Sequence, residues 1–385
     1  MADRNGIIEG VRKIAVLRAN ALGDFVFTLP ALMALRVAYP AAEIVLLALE
    51  WHREFLRDRP GPIDRVLALP PVPGVNAPLV ESGVFDGSLA ARAIDAFMRV
   101  LRAERFDLAL QLHGGGRYSN PFVAQLGARV TAGLRADGAP PLDRSIPYVY
   151  FQPEIVRYLE VVGLVGAAPV TLTPRLELTQ RDRDEASKVL RDIERPLALL
   201  HPGASDPRRR WPLEAFEQVG RALAEQGAQV LVNGVEAERA LCDQLADRLP
   251  GARNLRAQLT LHGLAGVLAR CAVVVSNDTG PLHLAAALGT RTVGIYWCFN
   301  LVNSSQLTRA RHQPFVSWRT HCPMCGRDCT NGRCDHEVSF VAEVPIAAVT
   351  GATLRALAEA RRERARPHER GARSDDVTTD RLHAS

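Results

Sequence analysis

The sequence predicts an α/β protein of two doubly wound halves facing a central cleft, and three observations carry that prediction. Short apolar runs of strand type alternate with helical stretches in both halves of the chain, which means parallel pairing with covered sheet faces. A proline-broken extended segment separates the two series. Loops rich in Gly, Asp, His and Arg stand where strands end, the place where open parallel sheets bind ligands.

In the first half, Lys13 to Arg18 (KIAVLR) reads as a buried strand and Pro30 to Tyr39 as a helix. Strands follow at Glu43 to Ala48 and Asp64 to Leu69, then a helix from Ser88 to Ala103 and a strand from Asp107 to Leu112. Arg135 to Pro147 is rich in Pro, Gly and Asp, and a helical stretch covers Pro153 to Val165. Ala167 to Leu178 is the linker. The second series has strands at Leu197 to Leu200, Ala228 to Val232, Cys271 to Ser276 and Arg291 to Tyr296. Its helices span Leu213 to Gln226, Ala237 to Leu249 and Leu261 to Arg270. The expected organisation is 1–168, 169–360 and a charged tail, 361–385, too poor in apolar residues to fold.

Composition narrows the class. At 385 residues, 47% hydrophobic and 23% charged, the chain has the length of two domains and an ordinary soluble make-up. No apolar run approaches the ~20 residues of a membrane span, and Met1 to Arg12 lacks a signal-peptide core. The expected location is cytoplasmic, with peripheral contact on the inner face of the membrane as a second placement. A net charge of +5 is modest; Lys13 and Lys188 are the only lysines, and no basic stripe interleaved with aromatics marks nucleic-acid binding.

The strongest local signal is Val273 to Gly289 (VVVSNDTGPLHLAAALG), where a strand meets a helix across a short polar loop. Pro281 fits only a first helical turn and Gly289 a helix stop. Such a junction aims N–H groups and a positive helix end at one spot. Asp278, Thr279, Gly280 and His283 crowd that spot. A capped turn with a surface histidine explains the stretch equally well when it is taken alone.

Other strand-end loops tip the balance. His201 to Pro212 (HPGASDPRRRWP) joins a glycine turn, Ser205 and the arginines Arg209 and Arg210, whose forked donors suit phosphate oxygens. Asn233-Gly234-Val235-Glu236 puts a carboxylate beyond a strand, where a ribose is often held. In the first half, Arg18 to Asp24 (RANALGD) sets Gly23 for a tight turn and Asp24 as a cap or a base. His113 to Asn120 (HGGGRYSN), with His113 and Arg117, is a candidate acceptor pocket. Three loops in one half make that half the nucleotide-diphosphate binder, with Asp24 facing it. The G-x-G-x-x-G spacing of dinucleotide enzymes is absent.

Four of the seven cysteines, Cys322, Cys325, Cys329 and Cys334, fall within thirteen residues, flanked by His321 and His336. Two readings stand side by side: a closed structural zinc site of four thiolates, or reduced thiols packed in a compact loop.

With these loops in order, the chain resembles the glycosyltransferase family 9 heptosyltransferases of the lipopolysaccharide inner core. RANALGDFVFTLPAL, HPGAS…RRWP, NGVEAER and SNDTGPLHLAAALGT carry the resemblance, over roughly residues 12 to 360. It implies a GT-B fold, two Rossmann-like domains with the acceptor in the N-terminal half and the nucleotide sugar in the C-terminal half. It further implies inverting transfer that requires no metal or other cofactor, with ADP-heptose as donor and a lipid-linked or core saccharide as acceptor. Asp24 matches the general base, and Ser205, Arg209, Arg210, Glu236, Asp278, Thr279, Gly280 and His283 fall in the donor site. Gly23, His113 and Arg117 are then acceptor residues. Arg209 stands where many members have Lys, a departure that keeps the charge and changes its geometry. A non-catalytic nucleotide-sugar-binding scaffold, or transfer from another nucleotide sugar, is the alternative.

Overall fold

The computed structural model describes residues 6–79, 89–330 and 332–365. Twelve strands among them build two sheets. The first holds β1 (Lys13–Leu17), β2 (Glu43–Ala48), β3 (Arg65–Ala68), β4 (Leu108–Gln111), β5 (Val130–Arg135) and β6 (Arg144–Pro147). The second holds β7 (Leu197–His201), β8 (Gln229–Val232), β9 (Arg253–Asn254), β10 (Cys271–Asn277), β11 (Thr292–Trp297) and β12 (His312–Ser317). Their orders are β3-β2-β1-β4-β5-β6 and β9-β8-β7-β10-β11-β12, all parallel. The two sheets thus share one topology, with strand order reversing between β1 and β4 and again between β7 and β10. Those switch points are where such sheets open a crevice at the strands' carboxyl ends.

Helices cover both faces: α1 (Leu22–Ala38), α2 (Glu50–Leu56), α3 (Leu89–Ala103), α4 (Ser119–Ala124), α5 (Glu154–Gly163), α6 (Gln180–Val189), α7 (Leu213–Glu225), α8 (Arg239–Arg248), α9 (Leu261–Arg270), α10 (Gly280–Ala287), α11 (Cys298–Asn303) and α12 (Ile346–Ala365). Among the described residues, no helix is long and apolar enough to cross a membrane. The central strands are buried on both sides; Ile14, Val16, Leu17, Val273, Val274 and Val275 have no exposed surface. This explains why they read as continuous apolar runs rather than alternating ones.

Among the departures from expectation, two concern where a helix begins or ends. The first helix begins at Leu22, eight residues before Pro30, and takes the proline into its interior. Asp24 makes this start possible by accepting a hydrogen bond from the Ala21 N–H (3.2 Å). Burial of Phe25, Val26, Phe27, Leu29, Leu32 and Leu35 stabilises the helix by several times the roughly 3 kcal/mol that an interior proline costs. At the other end, α12 runs to Ala365, so residues 361–365 of the expected tail are helical. Glu363 pairs with Arg291 and Arg311, Arg361 donates to the Gln226 carbonyl, and Arg364 donates to the Arg270 carbonyl. Partners on the second half thus order charged residues that have no apolar core of their own. Ser88, the expected start of α3, and residues 366–385 of the tail lie outside the described residues.

A buried ionic clamp ties the two halves together. Arg59, between α2 and β3, forms a two-pronged pair with Asp182 of α6 (2.7 and 3.0 Å). Asp182 also accepts from the Thr179 N–H (2.8 Å) and faces His262 Nδ1 of α9 (2.6 Å). Phe55 of α2 lies in one apolar cluster with second-half residues Leu199, Leu268 and Val274.

Candidate active site

The cleft holds a cavity of about 420 Å³ lined from both halves: Ala21, Gly23, Asp24 and Phe27 from the first; His201, Ala204, Ser205, Arg209, Val235, Glu238, Asp278, Thr279, Gly280, Pro281, His283 and Ser304 from the second. The N-terminal ends of α1 and α10 meet here. A Cβ on Gly23 would stand 3.0 Å from the His283 ring, and one on Gly280 would stand 3.1 Å from Leu22 Cβ. Glycine at both positions lets two positive helix ends approach one space, a setting for an anion.

Asp24, half-buried, is held by two contacts. Its carboxylate accepts the Ala21 N–H and lies 3.3 Å from the Arg18 guanidinium. Arg18 is fully buried, donates to the Leu112 carbonyl (2.8 Å), and also pairs with Glu154 of α5 (3.0 Å). Its guanidinium stacks on the Tyr158 ring at 4.8 Å. Burial raises the Glu154 carboxyl pKa; Arg18 opposes that shift, and Asp24 adds to it. Arg18 and Glu154 are therefore the buried support of Asp24. Glu154 stands 130 positions after Asp24 in a different helix, so nothing in the RANALGD stretch signals the pair.

On the opposite wall, Asp278 is buried between two partners, the Arg209 guanidinium (3.1 Å) and His283 Nε2 (2.9 Å). Arg209 also donates to Ser205 Oγ (2.9 Å). Thr279 Oγ1 lies 3.0 Å from Ser276 Oγ, which fixes the loop that delivers Gly280. Asn277 joins this loop to the one after β7 by donating to the Pro202 carbonyl (2.8 Å) and accepting from the Trp211 N–H (3.0 Å).

The carboxylate beyond β8 is a correction. Glu236 is exposed, paired with Arg239 and Arg256 (2.6 Å to the latter), and does not line the cavity. Glu238 lines it instead, because a short 3₁₀ turn at Glu236–Glu238 swings its side chain back to accept the Val235 N–H (3.0 Å). A Cβ on Gly203 would overlap the Glu238 carboxyl, so glycine there makes the space that Glu238 fills. Glu238 lies 3.8 Å from His201, whose pKa burial pushes down against the pull of that carboxylate. An acceptor three residues after a donated N–H is a helix-start signature, and it was the signal available in NGVEAE.

Three more expected site residues lie elsewhere. Arg210 turns away and donates to the Ala204 carbonyl (2.9 Å), bracing the loop. His113 spends both ring nitrogens on backbone: Nδ1 accepts the Ala19 N–H (3.3 Å) and Nε2 donates to the Val75 carbonyl (2.8 Å). Burial, with help from Arg18, lowers its pKa to about 4. It is a neutral structural imidazole. Arg117 is exposed beside Tyr118 and lines neither cleft cavity. Of the expected acceptor residues only Gly23 reaches the cavity.

A second cavity, about 540 Å³, adjoins the first through Arg209 and is lined by Tyr150, Asp206, Arg208, Trp297, Phe299, Asn300, Asn303, Cys329, Thr330 and Gly332. Arg208 pairs with Asp206 (2.7 Å) and stacks over the Trp297 ring at 5.3 Å.

Two Rossmann sheets of one topology, facing each other across a cleft with helix ends and an arginine aimed at a common point, define the GT-B class of glycosyltransferases. The model of the family "Glycosyltransferase family 9 (heptosyltransferase)" matches residues 94–319, more than half of the chain. The chain belongs to this family and is a glycosyltransferase. It is similar to lipopolysaccharide heptosyltransferase 2 of Salmonella typhimurium, 25% identical over 306 residues, 74% of this chain and 82% of that one. Among solved structures it resembles a glycosyltransferase family 9 protein from Veillonella parvula, with TM-score 0.74 and 18% identity, covering 92% of this chain and 99% of that one. It also resembles the E. coli ADP-heptose lps heptosyltransferase II, with TM-score 0.68 and 19% identity, covering 90% and 99%.

Proposed function

We propose that this glycosyltransferase moves a heptose from ADP-heptose onto a lipid-linked or core saccharide of lipopolysaccharide, with inversion at the anomeric carbon and without a metal in the chemical step. The observation that carries the reading is the single cavity in which Asp24 faces the Arg209–Asp278–His283 group across two converging helix ends. The names of relatives support this choice of sugar: the Salmonella protein is a lipopolysaccharide heptosyltransferase, and the E. coli structure names ADP-heptose.

In this reading residues 1–168 take the acceptor and 169–360 the donor. Asp24 removes the proton from the acceptor hydroxyl as its oxygen attacks the anomeric carbon, and the bond to the diphosphate breaks on the opposite face. Arg209, the Gly280 N–H and the two helix ends meet the charge that develops on the leaving diphosphate. Donors held in place in this way contribute about 3–4 kcal/mol each to the barrier reduction. Ser205, Thr279 and His283 shape the same wall, and Glu238 takes the ribose hydroxyls in place of Glu236. The adjoining cavity, lined by Tyr150 from the first half and by Arg208 and Trp297 from the second, extends the cleft beyond the donor wall. A lipid-linked acceptor would bring the chain to the inner face of the membrane in peripheral contact.

A screen of nucleotide sugars tests the donor assignment. Purified protein, with no divalent cation added, should bind and turn over ADP-heptose in preference to UDP-, GDP- and dTDP-sugars. Preference for another donor, or turnover that appears only on adding Mg²⁺, would overturn the corresponding part of the reading.

A further inference from the structure

The segment between β12 and α12 contains the cysteines that the transfer reading leaves unused. The structure gathers Cys322, Cys325, Cys334 and His336 so that one ligand atom from each lies within 4.8 Å of all the others. Tetrahedral ligation at about 2.3 Å for sulfur and 2.0–2.1 Å for nitrogen sets ligand atoms roughly 3.5–3.8 Å apart, so closing on an ion needs a contraction of at most about 1.3 Å. Cys329 is outside this group; it lines the cavity beside Arg208. The four-thiolate set suggested by spacing alone is thus replaced by three thiolates and an imidazole.

The turn is shaped for thiolates. In Cys322-Pro323-Met324-Cys325-Gly326 the Met324 N–H points at Cys322 Sγ (3.4 Å), and the Gly326 N–H closes the turn onto the Cys322 carbonyl (2.9 Å). Gly326 adopts φ +70°, a left-handed conformation that favours glycine. Cys322 and Cys334 are buried, while Cys325 and His336 face solvent and leave an entry path. All seven cysteines are free thiols. Around them, the described residues from 318 to 345 form no helix or strand, only one isolated bridge between His321 and Asp328. A segment with so little core of its own is where a structural metal contributes most.

We propose that Cys322, Cys325, Cys334 and His336 hold one tetrahedral metal ion of the zinc class, zinc or iron(II), as a closed structural site. With four protein ligands it has no open position for a substrate, and it acts by fixing the segment that carries Cys329 and Thr330 into the wall of the second cavity. This site stands independently of the transfer reading.

Elemental analysis of the full-length chain tests it. The protein is purified under reducing conditions without chelator from cells supplied with zinc and iron, and folding of each variant is checked by circular dichroism. The expected result is one equivalent of metal in the wild type and in Cys329→Ser, with less than a tenth in Cys325→Ser and in His336→Ala. Which element is found distinguishes zinc from iron. A metal-free wild type would overturn the site. Loss of metal in Cys329→Ser with retention in His336→Ala would overturn the ligand set.

Discussion

Asp24 is gripped from behind by Arg18 and the Ala21 N–H and presents its carboxylate to the cavity. Because its neighbours position it without burying it, Asp24→Asn should keep the helix start and the donor wall. Turnover should fall a hundredfold or more, the scale of a lost general base, while ADP affinity measured by calorimetry stays within about twofold. A second pair of variants separates two carboxylates two residues apart. Glu238→Gln should weaken nucleotide binding about tenfold, and Glu236→Gln should leave it unchanged, since among the described residues Glu236 pairs with Arg239 and Arg256 and does not line the cavity. At this scale the sequence was partly legible. Asp24, Arg209, Asp278 and His283 are close to glycines and strand ends in the chain, and their motifs pointed to the cavity wall they form. Arg18–Glu154 pairing and the outward turn of Glu236 depend on packing across the fold, which spacing does not encode.

Among elements, the close approaches shape the cavity. A methyl group on Gly203 would overlap the Glu238 carboxyl, so Gly203→Ala should reproduce the nucleotide-binding loss of Glu238→Gln with an unchanged secondary-structure spectrum. The Arg59–Asp182 clamp belongs to the same scale. Removing one partner of a buried pair leaves the other charge uncompensated, so Asp182→Ala should destabilise the protein by about 3–5 kcal/mol in denaturant unfolding. The central strands of both sheets were legible because burial on both faces makes them apolar runs. Others were hidden for physical reasons. The stretch forming α6 (QRDRDEASKV) buries only Asp182 and Ala186, so no apolar stripe marks it. Strand β6 (RSIP) is a short edge strand ending in proline. Pro30 pointed to a helix start, yet core burial carried α1 through it.

For the whole molecule, burial lowers the pKa of four imidazoles among the described residues: His52 and His312 to about 3, His113 to about 4, and His201 below its usual value. Each folded value lies below the unfolded value of about 6.5, so the unfolded chain binds protons first. Their contribution to stability is complete above about pH 6.5 and is withdrawn as pH falls toward 4, at about 1.4 kcal/mol per unit of separation for each group. Melting temperature should therefore drop steadily between pH 6.5 and 4; a flat profile would contradict the assignment. The same two-sheet frame that buries these rings sets Asp24 opposite Arg209 across the cleft. The most direct measurement is mass analysis of an acceptor core saccharide incubated with ADP-heptose and either wild-type or Asp24→Asn protein. The wild type should give a gain of one heptose with matching ADP release. The variant should give at most about one hundredth of that rate with ADP binding intact. Transfer by Asp24→Asn at a rate near wild type would contradict the role of Asp24 as base.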